Sequence, residues 1–375
     1  MISCQPSPKI ERALKDLQDR LIGLCHQLES VAPEERRYLN KCALISNVGA
    51  STRIENAVLT DVEIEWVDTT LSQDGKTTSF ESKKEFILDK LSKERERSIE
   101  EVVGCRDVLA TIYLQAKELQ PLTETVIRGL HHELLRHYPP ASHYAGQYKT
   151  VTNRVIATQH DTGEQRIVLE PSAPGVITET AMRDLVEWYN GAQLEYHWPL
   201  LVAVEFTFRF LAIHPFQDGN GRLGRALFLL ALLQSNDKCL TDVARFIAID
   251  RHIEQHKTQY YAALHQCSDG KFQPDPARYR YEPLFLFYLK MAQLALADID
   301  IYRKHYADLR RLPETALRVL ECFKSNPQQR LKVGEIEVAT GLPRRSIQYA
   351  LNTLSKGNFL QRLGMGAGSR YQLLF

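Results

Sequence analysis

His214-Pro215-Phe216-Gln217-Asp218-Gly219-Asn220-Gly221-Arg222-Leu223-Gly224-Arg225 lies between two helix-like segments, residues 197–211 and 222–234, and puts several unlike chemistries into one short stretch. Glycines at 219 and 221 permit positive φ and close backbone approach, so consecutive N–H groups can converge on an anion. A helix starting near Gly221 directs its positive end at the same place. Arg222 and Arg225, three residues apart, share one face of its first turn, where each guanidinium can fork onto phosphate oxygens. Asp218 offers a hard carboxylate oxygen of the kind Mg²⁺ takes when it is shared with substrate phosphates. His214 is largely neutral at physiological pH and can accept a proton from an attacking hydroxyl. Singly, each piece has a plainer explanation: a histidine before proline is often structural, Gly-Asn-Gly is often a turn, and helical arginines are often solvated. Those explanations leave the combination of base, metal ligand, anion nest and paired arginines unaccounted for.

Outward from this stretch the chain reads as mainly α. Ile10, Leu14, Leu17, Leu21, Leu24 and Leu28 form one helical stripe, suited to packing on the body of the protein or to a short coiled coil. Further helical patterns cover residues 83–116, 124–137, 178–190 and 283–304. Residues 147–169 differ: Tyr148, Thr150, Val151, Val155, Ile156, Ile167 and Val168 flank the turn signal Asp161-Thr162-Gly163, which predicts a β-hairpin. From about residue 313 three short helical patterns are followed by a strand-like end, which predicts a separate small α+β domain.

The stretch 214–225 resembles the signature HPFx[D/E]GNGRxxR of the Fic family, matching at every defined position, and the resemblance covers roughly residues 40–300. It implies a helical Fic core with a β-hairpin flap, and a reaction in which a protein Ser, Thr or Tyr hydroxyl attacks the α-phosphate of ATP and pyrophosphate leaves. Carried over by position, His214 is the general base and Asp218 the Mg²⁺ ligand. Asn220 with the Gly219 and Gly221 amides holds the α-phosphate, Arg222 and Arg225 hold the β- and γ-phosphates, and Leu223 and Gly224 complete the ATP-binding run. Such a division suits phosphoryl-type transfer, which asks a protein mainly for positioning and charge stabilisation. Val155, Ile156, Ala157 and Thr158 of the flap would border the nucleotide, and the flap edge either aligns an extended target segment or merely covers the core. Tyr260 and Tyr261 are similar to a Tyr-Tyr-x-x-Leu element of the adenine pocket, though about ten extra residues precede it and Ser268 stands where some relatives carry Asn; core packing is the other reading. Ser51 to Asn56 matches the inhibitory pattern [ST]xxxE[GN] of self-inhibited members, with Glu55 set against Arg225; alone, Ser51 with Glu55 four residues on resembles a capped helix start.

Residues 314–375 carry nine basic against four acidic side chains. Their helix, Gly-containing turn, helix and terminal hairpin look like a winged helix-turn-helix, with Arg344, Arg345, Ser346 and Gln348 early in the recognition helix; DNA contact and a packing or dimer role are both open. The domain reading is therefore 1–110, a helical region with the inhibitory motif at 51–56; 111–305, the Fic core with flap 147–169 and motif 214–225; and 313–375.

Composition limits the rest. The 375 residues, 44% hydrophobic and 25% charged, are globular material, and a net charge of +1 supplies no global pull towards nucleic acid or membranes. Seven cysteines without CxxC spacing point to reduced thiols and a cytoplasmic location. No apolar run approaches the ~20 residues of a membrane span. The expected partners are ATP and a protein target, with self-modification and oligomerisation left open. Two competing readings remain: a DNA-binding regulator whose Fic core senses nucleotide, and a Fic enzyme that mainly removes AMP with Glu55 orienting water.

Overall fold

The computed structural model describes residue 3 and residues 5–72, 78–158 and 165–375. They divide into two compact units, Met1–Ala57 with Glu100–Ile299, and Val58–Ile99 with Asp300–Phe375. The boundaries differ from those expected near 110 and 313. Residues 58–99 go with the C-terminal unit because Val62 belongs to the apolar cluster of Ala316, Phe323, Ile336 and Leu351.

The first unit is built around helix Pro199–Ile213, whose residues from Leu200 to Ile213 are all buried. A helix buried on every side, with Glu205 and Arg209 paired within it, is a central one. Helix Asn220–Leu233 packs along it, and Gly224 permits the close approach, since a Cβ there would meet Leu211 Cδ2 at 2.9 Å. Helix Pro8–Glu29 buries the predicted Ile10 to Leu28 stripe, packing on helix Lys238–Ala244 of its own chain. Helix Pro33–Ile54 lies against helix Ile249–Gln255. The hairpin is β1 (Val155–Thr158) antiparallel to β2 (Gln165–Leu169), with Ile156 opposite Ile167 and a bulge after Val155. It is shorter than the predicted 147–169. Residues 147–154 instead follow the motif loop, where Tyr148 pairs with Phe216 across an isolated bridge and the Lys149 N–H donates to the Pro215 carbonyl at 2.8 Å. The turn signal at 161–163 lies outside the described residues.

In the second unit, helix Asp61–Leu71 begins at a Thr60/Glu63 capping box and is followed by helix Phe80–Leu91. The continuous helix expected over 83–116 is broken at Ser92, whose φ of 84° is incompatible with a right-handed helix, and a new helix starts at Glu96. Helices Glu314–Lys324, Val333–Thr340 and Arg344–Lys356 then lead into the antiparallel pair β3 (Leu360–Leu363) and β4 (Arg370–Leu373).

Candidate active site

His214 terminates the central helix. Its N–H caps the Phe210 carbonyl at 2.8 Å, and its φ of 50° and ψ of 59° are left-handed, a conformation that costs a residue with a Cβ roughly 1–2 kcal/mol. Nδ1 lies 3.2 Å from the Leu211 carbonyl, which fixes it as the N–H nitrogen and leaves Nε2 with its lone pair. Burial, and then the Lys149 ammonium, push the imidazole down to about 4, so it is neutral at pH 7.

The loop after His214 is held by side chains that hydrogen-bond to its backbone. Asn220 accepts from the Phe216 N–H at 2.9 Å and donates to the Phe216 carbonyl at 2.7 Å. It therefore clamps the loop, and its Nδ2 keeps a second hydrogen to donate. His131, fully buried and stacked on Phe216 at 3.8 Å, accepts from the Gly146 N–H and donates from Nε2 to the Asp218 carbonyl at 2.9 Å. Burial lowers its pKa to about 4 and keeps it the neutral tautomer that this double role requires.

Helix Asn220–Leu233 starts at Gly219, whose φ of 79° makes the sharp turn. Its first internal bond is from the Leu223 N–H to the Gly219 carbonyl, so the amides of Asn220, Gly221 and Arg222 emerge at the helix end. Arg222 is 3% exposed; its Nη2 lies 3.5 Å from Asp218 Oδ1 and its Nη1 3.8 Å from Glu101 Oε1, while Nε and Nη1 have no hydrogen-bond partner. Buried guanidinium donors without acceptors are costly unless a ligand supplies them. Asp218 points its carboxylate outward, 42% exposed, with Oδ1 accepting from the Gly219 N–H at 2.6 Å. Among the described residues no group of three or more His, Cys, Asp or Glu is placed to hold a metal. A single exposed carboxylate beside a phosphate cradle does suit Mg²⁺, which is commonly held by one or two carboxylates plus phosphates.

Arg225 is already satisfied. Nε donates to Ser51 Oγ at 2.9 Å, and Nη2 to the Ser51 carbonyl at 2.8 Å and to Glu55 Oε1 at 2.9 Å. Ser51 is not a helix start. It is buried in the last turn of helix Pro33–Ile54, and Glu55 is the C-cap. Asn56 follows with φ 73°; its N–H reaches the Arg53 carbonyl and the Ala57 N–H the Thr52 carbonyl, the Schellman arrangement that ends a helix. The small residue after the glutamate is thus explained by the backbone. The end is anchored on both sides by Arg53, bidentate to Glu254 at 2.7 and 3.0 Å, and by Lys257, whose Nζ donates to the Ile54 carbonyl at 2.6 Å. Burial opposes the charge on Glu55, yet Arg225, Arg222 and Lys257 together hold its carboxyl below the usual range. Its Oε1 sits against Gly221 so closely that a Cβ there would overlap it.

These groups line one cleft of about 310 Å³, the size of a small-ligand site. His214, Asp218, Gly219, Asn220, Gly221, Arg222, Arg225 and Glu55 form one wall, Val155 and Ile156 the flap side, and Tyr260 and Tyr261 the far end. Leu223 and Gly224 do not line it; both turn into the core, as residues between two arginines on one helical face must. Ala157 and Thr158 continue β1, and their side chains lie outside the described residues. The sequence profile of the Fic/DOC family matches residues 121–232, which include His131, the hairpin and the whole motif. The chain carries a Fic domain.

Relatives agree with that assignment. The chain is 27% identical over 180 residues to protein adenylyltransferase fic-1 of Caenorhabditis briggsae, covering 48% of this chain and 31% of that one. It is 27% identical over 168 residues to protein adenylyltransferase Fic of Drosophila mojavensis, covering 44% and 29%. The matched region thus spans less than a third of either relative's length. A Fic family protein from Desulfovibrio desulfuricans shares the fold over 100% of this chain and 98% of its own, at 20% identity and a TM-score of 0.53. A Fic domain-containing signaling protein from Bacteroides thetaiotaomicron does so over 78% and 96%, at 23% identity and 0.54.

Around the Fic domain's cleft, polar residues that escaped the sequence reading include Asn153 and Arg154 in its lining and His131, Lys149 and Asp250 near it. Asp250 is buried behind Arg225; burial pushes its carboxyl up to about 6, against the pull of Arg225 and a hydrogen bond with Ser51. Tyr260 is 1% exposed, packed on Phe287 and Tyr261, whereas Tyr261 is only half-buried.

Proposed function

We propose that the Fic domain transfers AMP from ATP to a hydroxyl of a protein. The observation that carries this is the convergence, in one cleft, of a neutral His214 with Nε2 unengaged, a helix N-terminus, and the unsatisfied buried donors of Arg222. With the triphosphate on the helix end and Arg222, the hydroxyl oxygen bonds to the α-phosphorus, its proton passes to His214 Nε2, and the bond to the β-phosphate oxygen breaks to release pyrophosphate. Mg²⁺, held by Asp218 and phosphate oxygens, would neutralise charge on the leaving group. Glu55 acts as a lock, occupying Arg225 and the space over Gly221. The decisive experiment uses ATP labelled at the α-phosphate: protein-bound label that is lost in His214→Ala supports the reading, and label unaffected by that change sinks it.

The second unit supports a separate reading, as a DNA contact. Arg344, Arg345, Gln348, Tyr349 and Asn352 are exposed on helix Arg344–Lys356, and among the described residues neither arginine is in an ion pair. Unpaired arginines at the N-terminal end of such a helix are the groups that would meet phosphates and base edges.

A further inference from the structure

Lys149 grips His214 from both flanks. Its Nζ donates to the Ile213 carbonyl at 3.1 Å, and its backbone N–H donates to the Pro215 carbonyl at 2.8 Å. Those carbonyls belong to the residues on either side of His214, whose left-handed backbone needs such external restraint to persist. The grip extends one residue further. Nζ also donates to Asn153 Oδ1 at 3.0 Å, and Asn153 Nδ2 donates to the Phe216 carbonyl at 2.9 Å.

The chemistry of the grip is unusual. Lys149 is 3% exposed, both Nζ acceptors are neutral, and among the described residues no carboxylate pairs with it. An ammonium without a counter-ion is expensive to bury, and a serine hydroxyl already donates to the Ile213 carbonyl, from Ser172 at 2.9 Å. Holding one carbonyl therefore does not account for a charge at this place. Three groups face the imidazole: Lys149, which opposes its protonation, and Glu55 and Asp218, which favour it. An arriving triphosphate would add to the second side. We propose that Lys149 is a positioning residue for the general base, fixing the backbone of His214 and supplying the positive charge that keeps Nε2 free to take the hydroxyl proton as anions gather in the cleft.

This rests on His214 acting as base, so the test needs one readout that does not involve transfer. Burial alone brings the Lys149 ammonium down to about 8, so it loses its charge on the alkaline side of neutrality. The ammonium therefore carries its charge over the acidic and neutral range, where it matters to the imidazole: in wild type the acid limb of kcat for AMP transfer should lie well below the ordinary imidazole range, and Lys149→Arg, which keeps the charge, should retain that low acid limb. Lys149→Met should lower kcat by about 10² through misplacement of the base, with little change in KM for ATP. In ¹³C-histidine-labelled protein with ATP excluded, the His214 resonance, assigned through His214→Gln, should titrate well below the ordinary imidazole range. Its midpoint should rise in Lys149→Met and stay low in Lys149→Arg.

An unchanged His214 midpoint in Lys149→Met, or an acid limb of kcat that moves up in Lys149→Arg although the charge is kept, overturns the proposal. The second criterion serves even if the methionine variant does not fold. A midpoint that shifts as expected in a protein that transfers no AMP upholds the clamp and sinks the transferase reading instead.

Discussion

Replacing Glu55 by glycine removes one oxygen that both accepts from Arg225 Nη2 at 2.9 Å and presses against Gly221, together with a negative charge at the positive end of helix Asn220–Leu233. A hydrogen bond to a charged group contributes about 1.5–3 kcal/mol. The Glu55 side chain is 34% exposed, so solvent screening places this one at the low end. About 1.5 kcal/mol corresponds to roughly tenfold in apparent ATP affinity. Restored alignment adds to this, since a displacement of about 1 Å at the reacting centre costs ~10² in rate. Glu55→Gly should therefore bind ATP with Mg²⁺ about tenfold more tightly by calorimetry and transfer label from α-labelled ATP up to ~10²-fold faster. Glu55→Gln separates the contributions, because it keeps the bulk over Gly221 and one acceptor while losing the charge; its gain should be intermediate. Should a folded Glu55→Gly bind ATP no tighter and transfer AMP no faster than wild type, Glu55 is only the cap of its helix and the lock does not exist.

Three further outcomes are expected. His214→Ala should lower AMP transfer by about 10²–10⁴ while ATP affinity by calorimetry stays within a few-fold; equal losses in both would show that His214 holds the nucleotide instead. His131 is held neutral with its pKa lowered to about 4, so on acidification the unfolded state takes the proton first, and stability present above pH 6.5 is lost progressively as pH falls towards 4. His131→Asn should weaken the fold at pH 7 yet flatten that acid dependence in urea denaturation, and an unaltered slope between pH 7 and 5 would remove His131 as its source. Arg344→Ala/Arg345→Ala should weaken duplex DNA binding and lower the slope of log K against log salt by about two; wild type that binds no duplex at low salt leaves the second unit without a nucleic-acid role.

The cleft was legible in the sequence where its groups are contiguous. His214, Asp218, Gly219, Gly221, Arg222 and Arg225 could be read together because one loop and one helical turn deliver them all. Leu223 and Gly224 were carried along by adjacency, although a helical period of 3.6 turns them away. Lys149, His131 and Asp250 were illegible because each arrives alone from a distant element, and a single Lys, His or Asp carries no local pattern. Ser51 and Glu55 were found but placed at the wrong end of a helix. Serine followed four residues later by glutamate is compatible with either end, and only the positive φ of Asn56 decides it. The strand-prone run at 148–151 suggested a hairpin arm, but Tyr148 and Lys149 pair their backbone with the motif loop, a partner that no hairpin pattern announces. The unit boundary at residue 58 was hidden for a similar reason, since Val62 joins a core whose other members lie some 250 residues later.

For the proposed lock, the tethering of the helix that ends at Ile54 would set the tempo. With Arg53 gripped by Glu254 and the Ile54 carbonyl by Lys257, the backbone on the N-terminal side of Glu55 is fixed, and the carboxylate can leave Arg225 only by turning about its own side-chain bonds. Rotamer changes of that kind take picoseconds to nanoseconds, whereas withdrawing a helix takes microseconds to milliseconds. An enzyme turning over at about 1–10³ s⁻¹ never waits for such a gate. In that proposal Glu55 is a competitor for Arg225 that is permanently attached and held close by a rigid helix end. The response to ATP would be correspondingly graded: each rise in nucleotide would shift the occupancy of one guanidinium, with no threshold at which the whole molecule changes state.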